Sequence, residues 1–313
     1  MKIADTPFAA AENCRESFLA PLTPCRGGDG QEGAKAFCDG LAGARVARVA
    51  ARRGGGGVHT GADWLAEEAP VALSFNGISH AVMMATPADL EDLALGFAIT
   101  EGLLASPAQL YGVEVHAAAE GFTVELDIAS ASFERLKQRR RTMAGRTGCG
   151  LCGAQALGQV RLPLPRVGGA PGIAPQAIAR GIEEMRQRQV LQRATGATHA
   201  AAWCRADGTL GHMREDVGRH NALDKVIGAA LRAAQDLGGG FLCVTSRASF
   251  EMAQKTVLAG VGTLAAMSAP TTMALDLARE AGLCLVGFAR GDDLVAYSHA
   301  GRVFGNALQE RFS

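Results

Sequence analysis

Two cysteines three positions apart, Cys149 and Cys152, stand in a glycine-rich stretch that follows Arg146 and the arginine run 139–141. A thiolate is the nucleophilic form of cysteine, and nearby cationic groups or a second thiol lower its pKa. The flanking glycines permit backbone angles that other residues avoid, so the stretch can present its sulfur atoms at an exposed tip. The sequence therefore predicts a mobile loop that carries a reactive pair of thiols.

Three kinds of chemistry use this spacing. A structural zinc site needs about four ligands, typically two such pairs, and the other six cysteines form no second pair. A thioredoxin-type dithiol would lie between a strand and a helix, whereas this pair follows an arginine-rich segment and precedes Pro163 and Pro165. The third possibility is a persulfide carrier, in which one cysteine accepts sulfur and the other assists its release. Surface thiols without a function are disfavoured because they are an oxidation liability.

Composition limits the classes of partner. The chain has 313 residues, 48% of them hydrophobic, and can bury a sizeable core. Lys+Arg and Asp+Glu both count 31 and aromatics make up 5%, so we expect no nucleic-acid partner. Cysteines scattered in apolar runs indicate a reducing compartment, which predicts a cytoplasmic protein. The longest weakly apolar run, 257–270, is shorter than the roughly 20 residues that span a bilayer, so we expect no membrane association.

The N-terminal half shows two kinds of organisation. Residues 1–62 are rich in Ala, Gly and Arg and have too few bulky apolar side chains to offset the entropy of ordering, which predicts a mobile extension. Residues 63–145 predict a small α+β domain. Its hairpin turns at Asn76–Gly77, a pair that accepts the positive φ angles of a type I′ turn, and Thr86 is the predicted N-cap of the following helix. Its other predicted elements are strands at 113–116 and 122–128 and a basic amphipathic segment at 133–141.

The C-terminal half predicts a second, larger domain. Residues 146–170 form the cysteine loop and a linker, and residues 171–313 alternate helices with apolar strands. Such alternation predicts an α/β/α domain with a parallel or mixed sheet, whose ligands bind in the strand-to-helix loops. The predicted helices are 175–192, 219–237, 250–258 and 273–281, and the predicted strands are 198–204, 241–245, 283–288 and 294–297.

Polar residues gather in three of these loops, at 214–225, 245–251 and 288–293. Backbone N–H groups at a helix start, with Arg219 and His220 beside them, would bind phosphate or another anion. The alternative is a hydrogen-bonded cap with a solvated charged face. Arginine in all three loops predicts a polyanionic ligand.

Missing motifs exclude other classes of protein. The chain lacks the phosphate loop and the dinucleotide glycine fingerprint, which disfavours an ordinary NTPase or dehydrogenase. Its Cys-x-x-Cys lacks the preceding proline and the upstream His-x-Glu of zinc deaminases, which disfavours hydrolytic deamination.

Several ordered motifs resemble the formate dehydrogenase accessory sulfurtransferases, the FdhD family. Upstream, Asn76–Gly77 and Thr86–Pro87 match the N-terminal part of that family, and the resemblance covers roughly residues 64–300. The motifs that carry it are Cys149–Gly153, Glu215–Lys225, Ser246–Arg247 with Ser249–Met252, Ser268–Thr271 and Gly287–Arg290.

The resemblance implies a sulfurtransferase that accepts persulfide sulfur from a cysteine desulfurase. It would pass this sulfur to the bis-molybdopterin guanine dinucleotide molybdenum cofactor before the cofactor enters formate dehydrogenase. Cys149 would be the persulfide cysteine and Cys152 its helper. The resemblance also implies a homodimer and a larger domain with the cytidine deaminase-like fold. The alternative is a chaperone that binds and delivers the cofactor without sulfur chemistry of its own.

The resemblance also implies where the cofactor binds. GDP, a fragment of that cofactor, is the expected analogue, with its charged groups near Arg290, Arg219 and His220. The segment that corresponds to the cofactor-binding stretch of the family consists of Phe288, Ala289, Arg290, Gly291, Asp292 and Asp293.

Overall fold

The computed structural model of the protein describes residues 41–52, 58–144 and 162–305. Cys149, Cys152 and Arg146 lie outside the described residues, and so does most of the predicted cysteine loop and linker. Residues from Leu41 onward cluster as one compact unit, so the division at residues 145 and 171 into separate domains stays a prediction. Among the described residues, no helix has both the length and the apolar character needed to cross a membrane.

Part of the predicted mobile extension forms regular structure. Strand β1 (Ala44–Arg52) pairs antiparallel with β2 (Val58–Ala66) along their whole lengths. The sequence pattern failed here because backbone hydrogen bonds between two strands offset the lack of large apolar side chains. At the start of β1, a Cβ built on Gly43 would lie 2.5 Å from Thr86 Cγ2. The structure therefore corrects the expectation of an unordered extension for these strands.

The predicted small α+β region contains a four-stranded sheet in the order β4-β3-β6-β5. The predicted hairpin is confirmed, because Asn76 and Gly77 both have positive φ and join β3 to β4. Both later strands are also confirmed, and the basic segment predicted at 133–141 lies within a helix. The elements are β3 (Ala69–Phe75), β4 (Ile78–Ala85), α1 (Leu90–Thr100), β5 (Leu110–Ala118), β6 (Gly121–Ile128) and α2 (Ser130–Ala144).

Thr86 is not the N-cap of α1. The helix begins at Leu90 and its N-cap is Asp89, which has a left-handed backbone conformation and makes no side-chain cap. Thr86 is fully buried and bonds instead to distant residues: its N–H donates to Asp216, and its carbonyl accepts from Lys225 Nζ. Contacts between residues about 130 positions apart in sequence thus override the local capping signal.

The C-terminal region contains a mixed six-stranded sheet in the order β12-β11-β10-β9-β7-β8. Strands β9, β10 and β11 are parallel, and β7 and β12 pair antiparallel with their neighbours. The strands are β7 (His199–Arg205), β8 (Leu210–Asp216), β9 (Gly240–Val244), β10 (Thr263–Ala266), β11 (Cys284–Arg290) and β12 (Asp293–Ser298).

Helices cover this sheet on both sides, with separate apolar clusters under each set. The predicted helix 175–192 is two helices that break at Gln189, and the helix predicted to reach residue 237 ends at Arg232. Strands β8 and β10 were not predicted. The helices are α3 (Pro175–Arg188), α4 (Val190–Thr195), α5 (Arg219–Arg232), α6 (Phe250–Leu258), α7 (Thr272–Ala281) and α8 (Gly301–Phe304).

Helices α1 and α5 join the two sheet regions through two glycines. A Cβ built on Gly96 would lie 1.8 Å from the Asp224 carbonyl oxygen, and one on Gly228 would lie 1.9 Å from that of Asp92. Real Cβ atoms do not approach backbone oxygens this closely. The two helices can therefore cross at this distance only because both positions lack side chains.

Gly96→Ala should destabilise the protein by about 1–3 kcal/mol, since the methyl group forces α1 and α5 apart in a packed core. The same change at an exposed helix position usually stabilises a protein. Gly301→Ala is the matched control because a Cβ there meets no atom within 4 Å. Urea unfolding of both variants tests this prediction. A Gly96→Ala protein as stable as the control variant would contradict the close crossing.

A group of buried charges also connects the two regions. Lys255 Nζ on α6 lies 2.9 Å from Asp224 Oδ2 on α5 and 2.9 Å from Glu101 Oε1 at the end of α1. Thr100 donates a hydrogen bond of 2.7 Å to the other oxygen of Asp224. Burial alone would lower the pKa of Lys255, but the neighbouring carboxylates outweigh it and raise that pKa. Lys255 therefore remains charged and holds three helices together.

Candidate functional site

Four strands of the large sheet end at the same edge. Strands β9, β10 and β11 are parallel, and β8 shares their direction because β7 is antiparallel to both β8 and β9. The loops after β8, β9 and β11 are the three loops in which polar residues were noted. The outer two, after β8 and β11, are four strand spacings apart, or about 19 Å. The structure thus brings the three arginine-bearing loops to one edge, and an extended ligand can reach all of them.

The first of these loops serves mainly to hold the fold together. Asp216 pairs with Lys225 at 2.6 Å, and both side chains are fully buried. The Asp216 carboxylate also accepts hydrogen bonds from the Gly218 N–H, the Asn221 side chain and the Thr86 N–H. The predicted anion receptor consists of Arg219, His220 and backbone N–H groups, and the Asp216–Lys225 pair takes no part in it because both charges are used inside the fold. The alternative of a hydrogen-bonded cap with a solvated charged face is also wrong for this pair, because both residues are buried and α5 has no side-chain cap.

Two other charged residues of this stretch are likewise committed to the fold. Arg214 lies within β8 and pairs with Asp92 at 2.7 Å. Glu215 accepts hydrogen bonds from the N–H groups of Leu191 and Gln192, at 2.9 and 2.8 Å, and so fixes the start of α4. Arg219 and His220, the two side chains of the predicted receptor, take no part in these contacts.

Helix α5 begins at Arg219, and its N-cap Gly218 makes no side-chain cap. The first N–H groups of the helix therefore lack an acceptor within the helix. The Arg219 guanidinium has no hydrogen bond or ion-pair partner among the residues the structure describes. His220 Nε2 lies 2.6 Å from Glu251 Oε2 on α6, and this contact lowers the pKa of Glu251. The start of α5 thus presents one unpaired cation and one histidine paired with a carboxylate.

His199 at the start of β7 belongs to the same group. Its pKa is lowered first by burial and then by the positive charges of Arg219 and His220, while Asp216 opposes the shift. The imidazole is therefore neutral near pH 7. This electrostatic coupling also shows that the start of α5 lies beside the start of β7.

The predicted cofactor-binding segment lies at the end of β11 and the start of β12. Phe288 is 46% exposed and has a φ of 52°, a conformation that costs roughly 1–3 kcal/mol and persists only where the surroundings enforce it. Arg290 Nε donates to the Met267 carbonyl at 3.0 Å, and no other partner of its guanidinium lies in the described part of the chain. Ala289 is buried. The remaining residues of the segment, Gly291, Asp292 and Asp293, are exposed.

A cleft of about 490 Å³ lies at this edge. One part of the cleft is lined by Met267, whose carbonyl accepts a hydrogen bond from Arg290. Another part is lined by His199, whose pKa is lowered by the charge of Arg219. The sequence did not predict the cleft, because the loop between α4 and β7, which carries no motif, contributes the largest share of its wall. Its lining residues are Gln189, Gln192, Gly196, Ala197, Thr198, His199, Thr245 and Met267.

A sequence profile described as the FdhD/NarQ family matches residues 66–304. The chain belongs to the FdhD/NarQ family. The sulfur carrier protein FdhD of Variovorax paradoxus is 59% identical over 243 residues, which cover 78% of this chain and 87% of that protein. The sulfur carrier protein FdhD of Bordetella petrii is 52% identical over 260 residues, 83% of this chain and 93% of that protein.

The fold has a counterpart among solved structures. A crystal structure described as a formate dehydrogenase accessory protein from Desulfotalea psychrophila aligns with a TM-score of 0.66. The alignment covers 83% of this chain and 99% of the other, at 20% sequence identity. At this identity the likeness supports the mixed α/β fold alone.

The described cysteines of this FdhD/NarQ chain, Cys204, Cys243 and Cys284, are unsuited to sulfur chemistry. All three are buried and free. Burial raises the pKa of Cys243, and it raises that of Cys284 to about 11. Both therefore stay protonated at neutral pH, and the thiolate is the reactive form. The described cysteines therefore offer no exposed thiol for sulfur chemistry.

The chain enters the described region again beside the candidate site. The N–H of Leu162 donates to Gln254 Oε1 on α6 at 3.3 Å, one helical turn after Glu251, the partner of His220. Leu162 lies ten positions after Cys152, and a fully extended chain of ten steps spans at most about 36 Å. Leu162 therefore lies beside the helix whose first turn contacts His220.

Proposed function

We propose that the chain is a sulfur carrier required for formate dehydrogenase activity. It takes sulfur from a cysteine desulfurase as a persulfide on Cys149 and transfers it to the bis-molybdopterin guanine dinucleotide molybdenum cofactor. The observation that carries this proposal is membership of the FdhD/NarQ family, with relatives up to 59% identical that are named sulfur carrier proteins. The inert character of the described cysteines supports Cys149 and Cys152 as the working pair.

The sulfur steps are ordinary thiol–persulfide exchange. The Cys149 thiolate attacks the outer sulfur of the donor persulfide, the donor S–S bond breaks, and the donor leaves as a thiolate. Cys149 then carries the sulfur as a persulfide. The Cys152 thiolate attacks the inner sulfur, which forms a Cys149–Cys152 disulfide and releases hydrosulfide to the cofactor. A cellular dithiol must reduce this disulfide before the next cycle.

The sheet edge is suited to the cofactor because the guanine nucleotide parts of this substrate carry phosphates. Arg219, Arg247 and Arg290 stand at the three strand-end loops without ion-pair partners among the described residues, and guanidinium groups bind phosphate through charge-assisted hydrogen bonds. The exposed ring of Phe288, two positions before Arg290, offers an apolar surface. These residues would hold the charged groups of the cofactor. The homodimer stays a prediction.

GDP should bind at this edge, and Arg290→Ala should weaken its binding. Losing one charge-assisted hydrogen bond costs about 1.5–3 kcal/mol, or roughly a 10- to 150-fold change in Kd. Calorimetry of GDP binding measures this. Arg279→Ala is the matched control. Arg279 is an exposed arginine in the last turn of α7, at the end of that helix away from the strand-end loops. No GDP binding, or equal binding in the two variants, would count against Arg290.

Complementation tests the proposed function as a whole. A bacterial strain that lacks its own accessory protein should regain formate dehydrogenase activity when it expresses this chain. Immunoblotting of the enzyme subunit separates activation from expression, since a sulfur carrier should change the activity without changing the amount of subunit. A strain that expresses the folded chain and remains without activity would overturn the proposal.

A further inference from the structure

Strands β1 and β2 form a two-stranded arm that joins the rest of the chain at its base. There, the position of Gly43 lies against Thr86 and Leu191, and β2 packs on α4. Farther along the arm most of the described residues are exposed, and Val58 is 70% exposed. An isolated two-stranded hairpin is at best marginally stable in water, so a partner that covers the arm would stabilise it.

The two faces of the arm differ in charge. Side chains alternate between the faces along each strand, and residues paired across the strands share a face. Arg48 pairs with Ala62, which places both on the face that also carries Val58. Arg45 and Asp63 lie on the opposite face. The first face, which we call the arm face, therefore combines a cation with apolar groups, and its described residues include no carboxylate.

The four-stranded sheet has an uncovered face of the opposite charge, which we call the outer sheet face. The inner face packs into the core through alternate residues such as Leu73 and Val124. On the outer sheet face, β4 carries Val82 and Met84, which are 61% and 49% exposed. No lysine or arginine occurs in residues 54–134, so this face is acidic as well as partly apolar. Its carboxylates on β5 and β6 are those of Glu114, Glu125 and Asp127.

The arm face and the outer sheet face are complementary, but they do not meet within one copy of the chain. Arg48 has no ion-pair partner in the described part of the chain, and Glu125 and Asp127 have none there either. Val82 and Met84 remain exposed because the arm packs on α4 instead. Opposite charges favour association and set its orientation, and exposed apolar patches mark interaction sites. Each surface therefore fits the other surface on a second copy.

We propose that the arm of one copy docks on the outer sheet face of a second copy. Arg48 then faces Glu125 and Asp127, and Val58 covers the apolar part of the sheet at β4. Because each copy has one arm and one outer sheet face, two reciprocal contacts close a symmetric dimer. The contact gives the predicted homodimer a specific interface, and it does not depend on the sulfur chemistry, since nearly the whole arm precedes residue 66, where the match to the family profile begins.

Sedimentation velocity of the full chain tests this contact. The wild-type chain should form a dimer, and Arg48→Glu should raise its dissociation constant about tenfold or more, because two like charges then meet in the contact. Arg45→Glu is the matched control, since it makes the same charge change three positions away on the opposite face of the arm. It should leave the dissociation constant near that of the wild-type chain.

A mixing experiment keeps the test independent of folding defects. Glu125→Lys/Asp127→Lys should also weaken the dimer on its own. A mixture of this variant with Arg48→Glu should form mixed dimers, because each arm then meets a sheet face of opposite charge. A monomeric wild-type chain, equal dissociation constants for Arg48→Glu and Arg45→Glu, or a mixture that does not associate would overturn the proposal. Complementation of formate dehydrogenase activity and sulfur loading of Cys149 test the proposed function separately.

Discussion

Cys149→Ala should abolish formate dehydrogenase maturation and leave the fold intact. The residue supplies the thiolate that holds the sulfur, and alanine has no atom that can form the S–S bond. No described cysteine replaces it, because those thiols are buried. Formate dehydrogenase activity in a strain without its own accessory protein measures the effect, and Cys152→Ala, which should be milder or equal, gives the comparison within the same pair.

The same variant separates sulfur transfer from cofactor delivery. Because the unpaired arginines lie on the sheet edge, Cys149→Ala should bind GDP as the wild-type chain does. Loss of maturation with GDP binding retained is the result expected of a sulfur carrier. Maturation at the normal level in Cys149→Ala would contradict a covalent role and leave a cofactor chaperone as the function.

Lys255→Met should lower the free energy of unfolding by about 3–5 kcal/mol, because removing one partner leaves the buried Asp224 charge without compensation. Lys255 and Asp224 are 8% and 2% exposed at their side chains. Lys137→Met is the matched control: Lys137 pairs with Glu134 on the surface of α2, and such pairs contribute about 0–1 kcal/mol. Urea unfolding of both variants measures the difference.

A second substitution identifies the cause of that loss. In Lys255→Met/Asp224→Leu the unpaired carboxylate is gone, so part of the stability should return. The raised pKa of Lys255 also makes the stability of the protein depend on pH. The contribution of Lys255 to the free energy of unfolding is complete below its usual pKa of 10.5, and it disappears as the pH rises through the pKa in the folded protein. A Lys255→Met protein as stable as the control would contradict a structural role for this charge.

Local patterns predicted most of the fold. Asn76–Gly77 specified a hairpin because its backbone preferences are intrinsic, and helix α6 was predicted with its observed bounds, Phe250–Leu258. Predictions failed where distant residues decide the conformation. The hydrogen-bonding groups of Thr86 are taken by Asp216 and Lys225. Strand β8 was missed because its polar residues make contacts distant in sequence, such as the ion pair of Arg214 with Asp92.

The candidate site divides in the same way. Arg219, His220 and Arg290 were predicted from charge and glycine at strand ends, and the structure brings their loops to one edge. Asp216 and Lys225 belong to the same charged stretch, but they form a buried ion pair with each other. His199 could not be predicted, because an isolated histidine acquires meaning only when the fold places it in a cleft beside the charged start of α5.

Sulfur loading of Cys149 tests the central claim most directly. The purified full chain is incubated with a cysteine desulfurase and cysteine, and intact-protein and peptide mass spectrometry then follow its mass. The proposal predicts that the chain gains one sulfur atom, that the gain maps to the peptide containing Cys149, that a thiol reductant removes it, and that Cys149→Ala does not acquire it. An unchanged mass in the wild-type chain, or a sulfur gained elsewhere, would contradict the proposal.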